Sequence, residues 1–156
     1  MRDLGIVLVL LVGCTSPPQG KAVTFDPCEP VAVASAGASA DQLASIDDAI
    51  ALWHADGVTA LSRADAAQVS IVFRDAPDAM YGYYDAPNAT VYINTRIVDP
   101  AERAVTIAHE LGHAFSLVHI AAATRASVMN PGNLTVAPNA GDEAALVAAW
   151  GACPAP

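Results

Sequence analysis

Residues 109–119, with the sequence HELGHAFSLVH, constrain this chain more than any other stretch, because they hold three of the four histidines among its 156 residues. Residues four positions apart on a helix lie on one face, with Cβ atoms roughly 5–6 Å apart. His109 and His113 can therefore present two imidazoles to a single metal ion. Glu110 lies about 100° further round the helix. That position predicts a carboxylate that reaches a water beside the metal without binding the metal itself.

His119 is six residues beyond His113, which is too far to share the same face of a continuing helix. For His119 to become a third ligand, the chain must turn sharply after about Phe115. Ser116 stands at this turn, and if the turn needs a left-handed backbone, that conformation costs a serine on the order of 1 kcal/mol. Three neutral imidazoles leave one position of a tetrahedral zinc open, which is typical of catalytic sites and not of structural ones.

The motif resembles the metzincin consensus HExxHxxGxxH, with Ser116 at the glycine position. Met129 lies in a stretch of sequence, SVMNP at residues 127–131, that resembles the Met-turn of this family. The resemblance extends over about residues 40–151 and is closest to the matrixin-like branch. It implies an α+β catalytic domain with a twisted mixed sheet, an active-site helix, a Met-turn and a C-terminal helix. It also implies that Met129 supports the metal site from beneath without being a ligand.

The activity implied by this resemblance is that of a zinc endopeptidase with one catalytic Zn²⁺ ion. His109, His113 and His119 would bind the ion, and Glu110 would take a proton from a water that the zinc activates. Two alternatives stay open. One is a non-catalytic, zinc-holding or partner-binding lipoprotein with a degenerate metzincin site. The other is a different zinc amidohydrolase in which His119 is not the third ligand.

The first residues are typical of an export signal. Residues 4–12 are apolar apart from Gly5, and this run is shorter than the ~20 residues of a membrane span. The run leads into Leu11-Val12-Gly13-Cys14, which resembles the bacterial lipobox. We therefore expect a signal peptide at residues 1–13 and a lipidated Cys14 that anchors an exported bacterial lipoprotein to a membrane. Thr15, which follows the cysteine, favours the outer membrane. An ordinary secretory signal with an incidental cysteine is the alternative.

Cys28 and Cys153 are the other two cysteines. In an exported protein the simplest interpretation is a disulfide between them, which would stabilise the fold by roughly 2–4 kcal/mol. The alternative is that Cys28, which lies between two prolines, caps the zinc as an inhibitory thiolate. Residues 14–39 are rich in Pro, Ser, Gly and Ala, and predict a lipidated tether followed by an extended segment.

Residues 40–156 are expected to form the zinc peptidase domain. The apolar pattern predicts a helix over residues 40–56, and Asp99 and Pro100 mark the start of a second helix that reaches about residue 116. Strands are predicted over residues 69–73, 81–85 and 90–94, the last two joined as a hairpin. A final short helix is predicted over residues 142–150.

Charge and aromatic residues bear on possible partners. The formal net charge is −9 and Lys21 is the one lysine, so nucleic-acid binding is not expected. We expect a monomer that acts on a peptide or protein. The resemblance implies that an edge strand of the sheet pairs with an extended peptide substrate. Four tyrosines either line a substrate cleft or pack in the sheet: Tyr81, Tyr83, Tyr84 and Tyr92.

Overall fold

The computed structural model describes residues 22–154, and its five strands form one mixed sheet. Their order is β2-β1-β3-β5-β4, in which β4 pairs antiparallel with β5 and the remaining pairs are parallel. In chain order the elements are β1 Val31–Ala34, α1 Ala40–Ala55, β2 Leu61–Arg63, β3 Val69–Arg74, β4 Gly82–Asp85, a short 3-10 helix Ala86–Asn88, β5 Thr90–Asn94, α2 Pro100–Ala114 and α3 Ala140–Trp150. The chain is therefore a small α+β domain, as the sequence predicts.

Helix α1 packs along α2 and helps to fix its position. Ser39 caps α1 in a reciprocal capping box with Gln42, and the helix ends at Ala55, close to the predicted residue 56. The fully buried Trp53 donates a hydrogen bond from Nε1 to the Ala108 carbonyl, at 3.0 Å. Its ring also meets the Phe115 ring edge to face, with centroids 5.6 Å apart. Trp53 of α1 thus contacts the chain just before His109 and again at Phe115, where α2 ends.

Strands β1 and β2 were not predicted from the sequence. These strands have four and three residues, and such short runs show too little alternation to be separated from a loop by pattern alone. Strand β1 lies within residues 14–39, which we expected to be tether and extended segment, yet it pairs with both β2 and β3. The folded unit therefore includes residues before position 40.

Helix α2 is the central element, with eleven of its fifteen residues buried. The Asp99 side chain accepts hydrogen bonds from the backbone N–H groups of Ala101 and Glu102, and Pro100 takes the first helical position. The helix ends at Ala114, two residues before the expected end.

Helix α3 begins at Ala140, two residues earlier than predicted. Asn139 and Asp142 form a reciprocal capping box, in which each side chain accepts a hydrogen bond from the other residue's backbone N–H. Asp142, predicted from the sequence as the start of the helix, is its third residue.

Cys28 and Cys153 form a disulfide, with Cα atoms 5.1 Å apart. The sulfur of Cys28 is therefore not a free thiolate, and the alternative in which it caps the metal is wrong for this structure. The predicted signal peptide at residues 1–13 and the lipidation site Cys14 lie outside the described residues. Within residues 22–154, none of the helices has both the length and the apolar character needed to cross a membrane.

Candidate metal centre

The ring nitrogens of three histidines meet at one point beside α2. His109 and His113 lie one turn apart on the helix, and His119 comes from the loop that follows it. The Nε2 atom of His119 is 3.1 Å from that of His109 and 3.2 Å from that of His113. This cluster could hold a metal ion, and it unites the three residues that the sequence singled out as candidate ligands.

Backbone carbonyls fix the orientation of two of these rings. His109 Nδ1 lies 2.7 Å from the Val128 carbonyl oxygen, and His113 Nδ1 lies 2.9 Å from that of Leu117. A carbonyl oxygen can only accept, so both Nδ1 atoms carry the proton. Each Nε2 atom is then left with a free lone pair that points toward the other rings. Such carbonyl partners are typical of metal-binding histidines.

The turn that brings His119 back passes through Ser116 in a left-handed conformation, with φ at 72°. Phe115 ends the helix, and the N–H groups of Ser116 and Leu117 donate to the carbonyls of His113 and Gly112. The Trp150 Nε1 atom of α3 donates to the Phe115 carbonyl at 2.8 Å. The sharp turn that the motif requires is therefore present without a glycine.

Replacing Ser116 by Gly should raise the free energy of unfolding by about 1 kcal/mol, because glycine adopts this backbone region without a steric penalty. Urea denaturation of the metal-free protein measures the change. Ser62→Gly in β2 is the matched control and should lower stability, since a strand residue with ordinary φ gains nothing from glycine. If Ser116→Gly also lowers stability, the backbone at this turn is not strained.

Glu110 lies buried in the same cleft, with 5% of its surface exposed. Gly82 of β4 makes room for it, because a Cβ atom at position 82 would come within 3.1 Å of Glu110 Oε1. Burial raises the pKa of Glu110 to about 8, against the opposing effect of a hydrogen bond from the Tyr84 backbone. Burial also lowers the pKa of His109 to about 4 and, in direction, that of His113. Both histidines are therefore neutral at physiological pH.

These shifts predict how the stability of the metal-free protein depends on pH. The folded chain keeps a proton on Glu110 up to about pH 8, whereas the unfolded chain loses it near the ordinary 4.5, so stability falls as pH rises through this window. The pKa values of His109 and His113 are lowered, so these two residues make the free energy of unfolding rise with pH. Their effect is confined to pH values below about 6.5, the ordinary pKa of histidine.

We therefore expect the urea midpoint in chelator to fall between pH 6.5 and 8, and this fall to be absent in Glu110→Gln. Equal slopes in the two proteins would show that another group is responsible.

Met129 is buried against α2, the helix that carries His109 and His113, with 1% of its surface exposed. Gly112, between the two helical histidines, allows this approach, because a Cβ atom there would overlap the Met129 sulfur. No role was predicted for Gly112 from the sequence. The structure shows that it leaves space for the Met129 sulfur.

Asp142 is a supporting residue that the sequence analysis missed. It is fully buried and accepts hydrogen bonds from the Ser127 hydroxyl, from the Val128 N–H at 3.0 Å and from Arg125 Nη1 at 2.9 Å. The Val128 carbonyl in turn orients His109. Helix α3 therefore holds the Met-turn, and through it one imidazole. The capping pattern Asn139-x-x-Asp142 was the available signal, but it points to a helix start and not to this contact.

The histidines and Glu110 open onto a cleft of about 710 Å³. Tyr81, Tyr83 and Tyr84 line it, whereas Tyr92 stacks on Tyr83 at 4.7 Å between ring centroids. Three of the four tyrosines therefore line the cleft, and the fourth, Tyr92, packs on the sheet. His54 is exposed, and its Nε2 lies 2.7 Å from the Leu61 carbonyl oxygen, away from the histidine cluster.

Two comparisons find similar proteins. Residues 64–130, less than half of the chain, match the family described as Peptidase_M78, IrrE N-terminal-like domain. This range includes the three clustered histidines, Glu110 and Met129. The solved structure of myroilysin superimposes with a TM-score of 0.60 and 11% sequence identity, covering 82% of each chain. At this identity the likeness shows a shared fold. The search of curated proteins found no match.

The family match contains the residues of the histidine cluster, and the structural match extends over most of the described domain. The three clustered imidazoles form a site suited to a metal ion. Together these findings support a zinc metallopeptidase-like domain in this chain.

Proposed function

We propose that this protein is a zinc-dependent endopeptidase that hydrolyses peptide bonds. His109, His113 and His119 would hold one zinc ion, and Glu110 would act as the general base. The observation that carries the proposal is the convergence of three Nε2 atoms within a cleft that also contains the buried Glu110 carboxyl group.

The three histidines fit zinc. Two nitrogen ligands of a tetrahedral zinc, each at about 2.0–2.1 Å, lie roughly 3.3 Å apart. The observed separations of 3.1 and 3.2 Å are close to this value. His109 and His113 both direct unprotonated Nε2 atoms at His119, which has one Nε2 proton at most to share. A metal cation between the three Nε2 atoms can accept the lone pair of each of them. A proton on His119 Nε2 can form a hydrogen bond with the lone pair of only one of the other two histidines.

Zinc in this site would polarise a substrate carbonyl and lower the pKa of a water to about 7. Glu110 then receives the proton of the attacking water and delivers it to the leaving amine. The raised pKa belongs to the metal-free chain. The positive charge of a zinc ion beside the carboxyl group would lower this pKa again, so that Glu110 would be ionised and able to accept the proton of the water. The Tyr84 backbone contact and the space at Gly82 keep the carboxyl group beside β4.

Strand β4 supports a way of binding the substrate. It is an edge strand, paired with β5 on one side only among the described strands, and its residues line the cleft. An extended peptide can add to such an edge through main-chain hydrogen bonds. The left-handed turn at Ser116 and the buried Met129 are consistent with the matrixin-like branch, which we retain as part of the proposal.

The direct test is cleavage of casein or a quenched fluorescent peptide by purified protein. We expect cleavage that a chelator abolishes and that one equivalent of Zn²⁺ per chain restores. Protein that binds one zinc but cuts neither substrate would instead be a non-catalytic, zinc-holding protein, and the peptidase proposal would fail.

We further propose that the enzyme is exported and anchored to a bacterial outer membrane through a lipid on Cys14. This proposal rests on the lipobox-like sequence before Cys14 and on the apolar run that precedes it. Metabolic labelling with palmitate tests it, and label that persists in Cys14→Ser would exclude this anchor.

A further inference from the structure

Residues 22–25, which we call the N-terminal strap, cross one end of the cleft. The Val23 N–H donates to the Ala86 carbonyl at 3.0 Å, and the Tyr84 hydroxyl donates to the Val23 carbonyl at 2.7 Å. Two residues further, the Phe25 N–H donates to the Ala114 carbonyl at 2.9 Å. The strap therefore bridges from the end of β4 to the end of α2.

The strap forms part of the cleft surface and is held at its far end. Ala22 and Thr24 line the cleft beside the histidines. Phe25 is half-buried and packs against the hydrophobic core. Three residues later, the disulfide joins Cys28 to Cys153, just beyond α3. These contacts fix the strap on both sides of the point where it crosses the cleft.

The position of Val23 limits the free edge of β4. Glu110 sits against Gly82 and the Tyr84 backbone, so the reacting bond of a paired peptide would lie beside these residues. Strand β4 ends at Asp85, and the carbonyl of the next residue, Ala86, already accepts a hydrogen bond from the Val23 N–H. Four strand residues at about 3.4 Å each span roughly 14 Å, which is the length available to a paired peptide.

We propose that the N-terminal strap determines how long a peptide the cleft accepts at this end. A peptide paired with β4 meets Val23 within about four residues of Glu110 and can continue only by leaving the edge. The substrates would then be peptides or protein tails whose cleavage site lies within about four residues of one terminus, or of a bend. This inference rests on the proposed peptidase function of the same cleft.

The test measures binding, so that it does not depend on turnover. Fluorescein-labelled peptides of Gly, Ala and Leu, lengthened from either end, are titrated by anisotropy into the zinc-supplemented full chain carrying Glu110→Gln. Peptides extended by more than about four residues toward the strap should bind about tenfold more weakly. Peptides extended from the opposite end should bind with unchanged affinity. Equal affinity for short and long peptides on both sides would overturn the proposal.

Two variants then each remove one of the two hydrogen bonds that hold Val23 of the strap, which we call the latches. Val23→Pro removes the N–H that binds Ala86, and Tyr84→Phe removes the hydroxyl that binds Val23; Tyr92→Phe, which removes a tyrosine hydroxyl outside the cleft, is the control. Either latch variant should recover most of the tenfold loss for long peptides, and the control should recover none. If neither does so while circular dichroism shows a folded protein, the strap does not set the length. Failure of the peptidase proposal is seen separately, as absent cleavage by the wild-type protein.

Discussion

Replacing Glu110 by Gln is expected to lower kcat/KM for a peptide substrate by about 10²–10⁴-fold while one zinc per chain stays bound. The amide has nearly the shape of the carboxyl group and fits the space that Gly82 leaves, but it cannot accept a proton from water. The histidines and their carbonyl partners are unchanged, so the metal site stays intact. Steady-state kinetics and metal analysis of the same sample measure both quantities.

Glu102→Gln provides the matched control, because Glu102 lies in the first turn of the same helix and outside the cleft. That variant should cleave at close to the wild-type rate. Near-normal cleavage by Glu110→Gln would refute the role of general base, and loss of zinc from this variant would show that Glu110 acts through the metal site.

Replacing His119 by Ala should weaken zinc binding by more than ~100-fold, since even partners behind the ligands contribute 10–100-fold. His119 supplies the Nε2 atom that lies close to both other histidines. Two ligands one turn apart on α2 would remain, and they leave half of a tetrahedral zinc shell to water. Competition with a chromophoric chelator gives the affinity.

The fourth histidine provides the control for this experiment. His54 lies in the last turn of α1, with its ring nitrogen beside the Leu61 carbonyl. His54→Ala should therefore bind zinc as tightly as the wild type. If His119→Ala also does so, His119 is not the third ligand, and a different class of zinc hydrolase becomes the better interpretation.

Much of the site follows from local sequence, because its parts lie close together along the chain. The i, i+4 spacing of His109 and His113 and the Asp99-Pro100 start predict the helix and its ligand face. The six-residue gap to His119 predicts a sharp turn, and the structure places it at Ser116 with positive φ. Strands β3 to β5 and helix α1 were also predicted close to their observed bounds.

The parts that escaped prediction depend on contacts between distant residues. Strands β1 and β2 are too short to show a pattern, and their pairing joins residues about thirty positions apart. Asp142 reads locally as a helix-capping residue, but its carboxylate also binds the loop at Ser127 and Val128. The strap at Val23 is extended backbone whose partner, Ala86, lies far along the chain. None of these pairings leaves a periodic signal in the sequence.

X-ray diffraction from zinc-supplemented crystals, recorded on the two sides of the zinc absorption edge, shows whether the three histidines jointly hold one zinc ion. We expect one anomalous peak per chain, at about 2.0–2.1 Å from the Nε2 atoms of His109, His113 and His119. No peak at this point in crystals grown with excess zinc, or a peak that contacts only two of the three nitrogens, would contradict it.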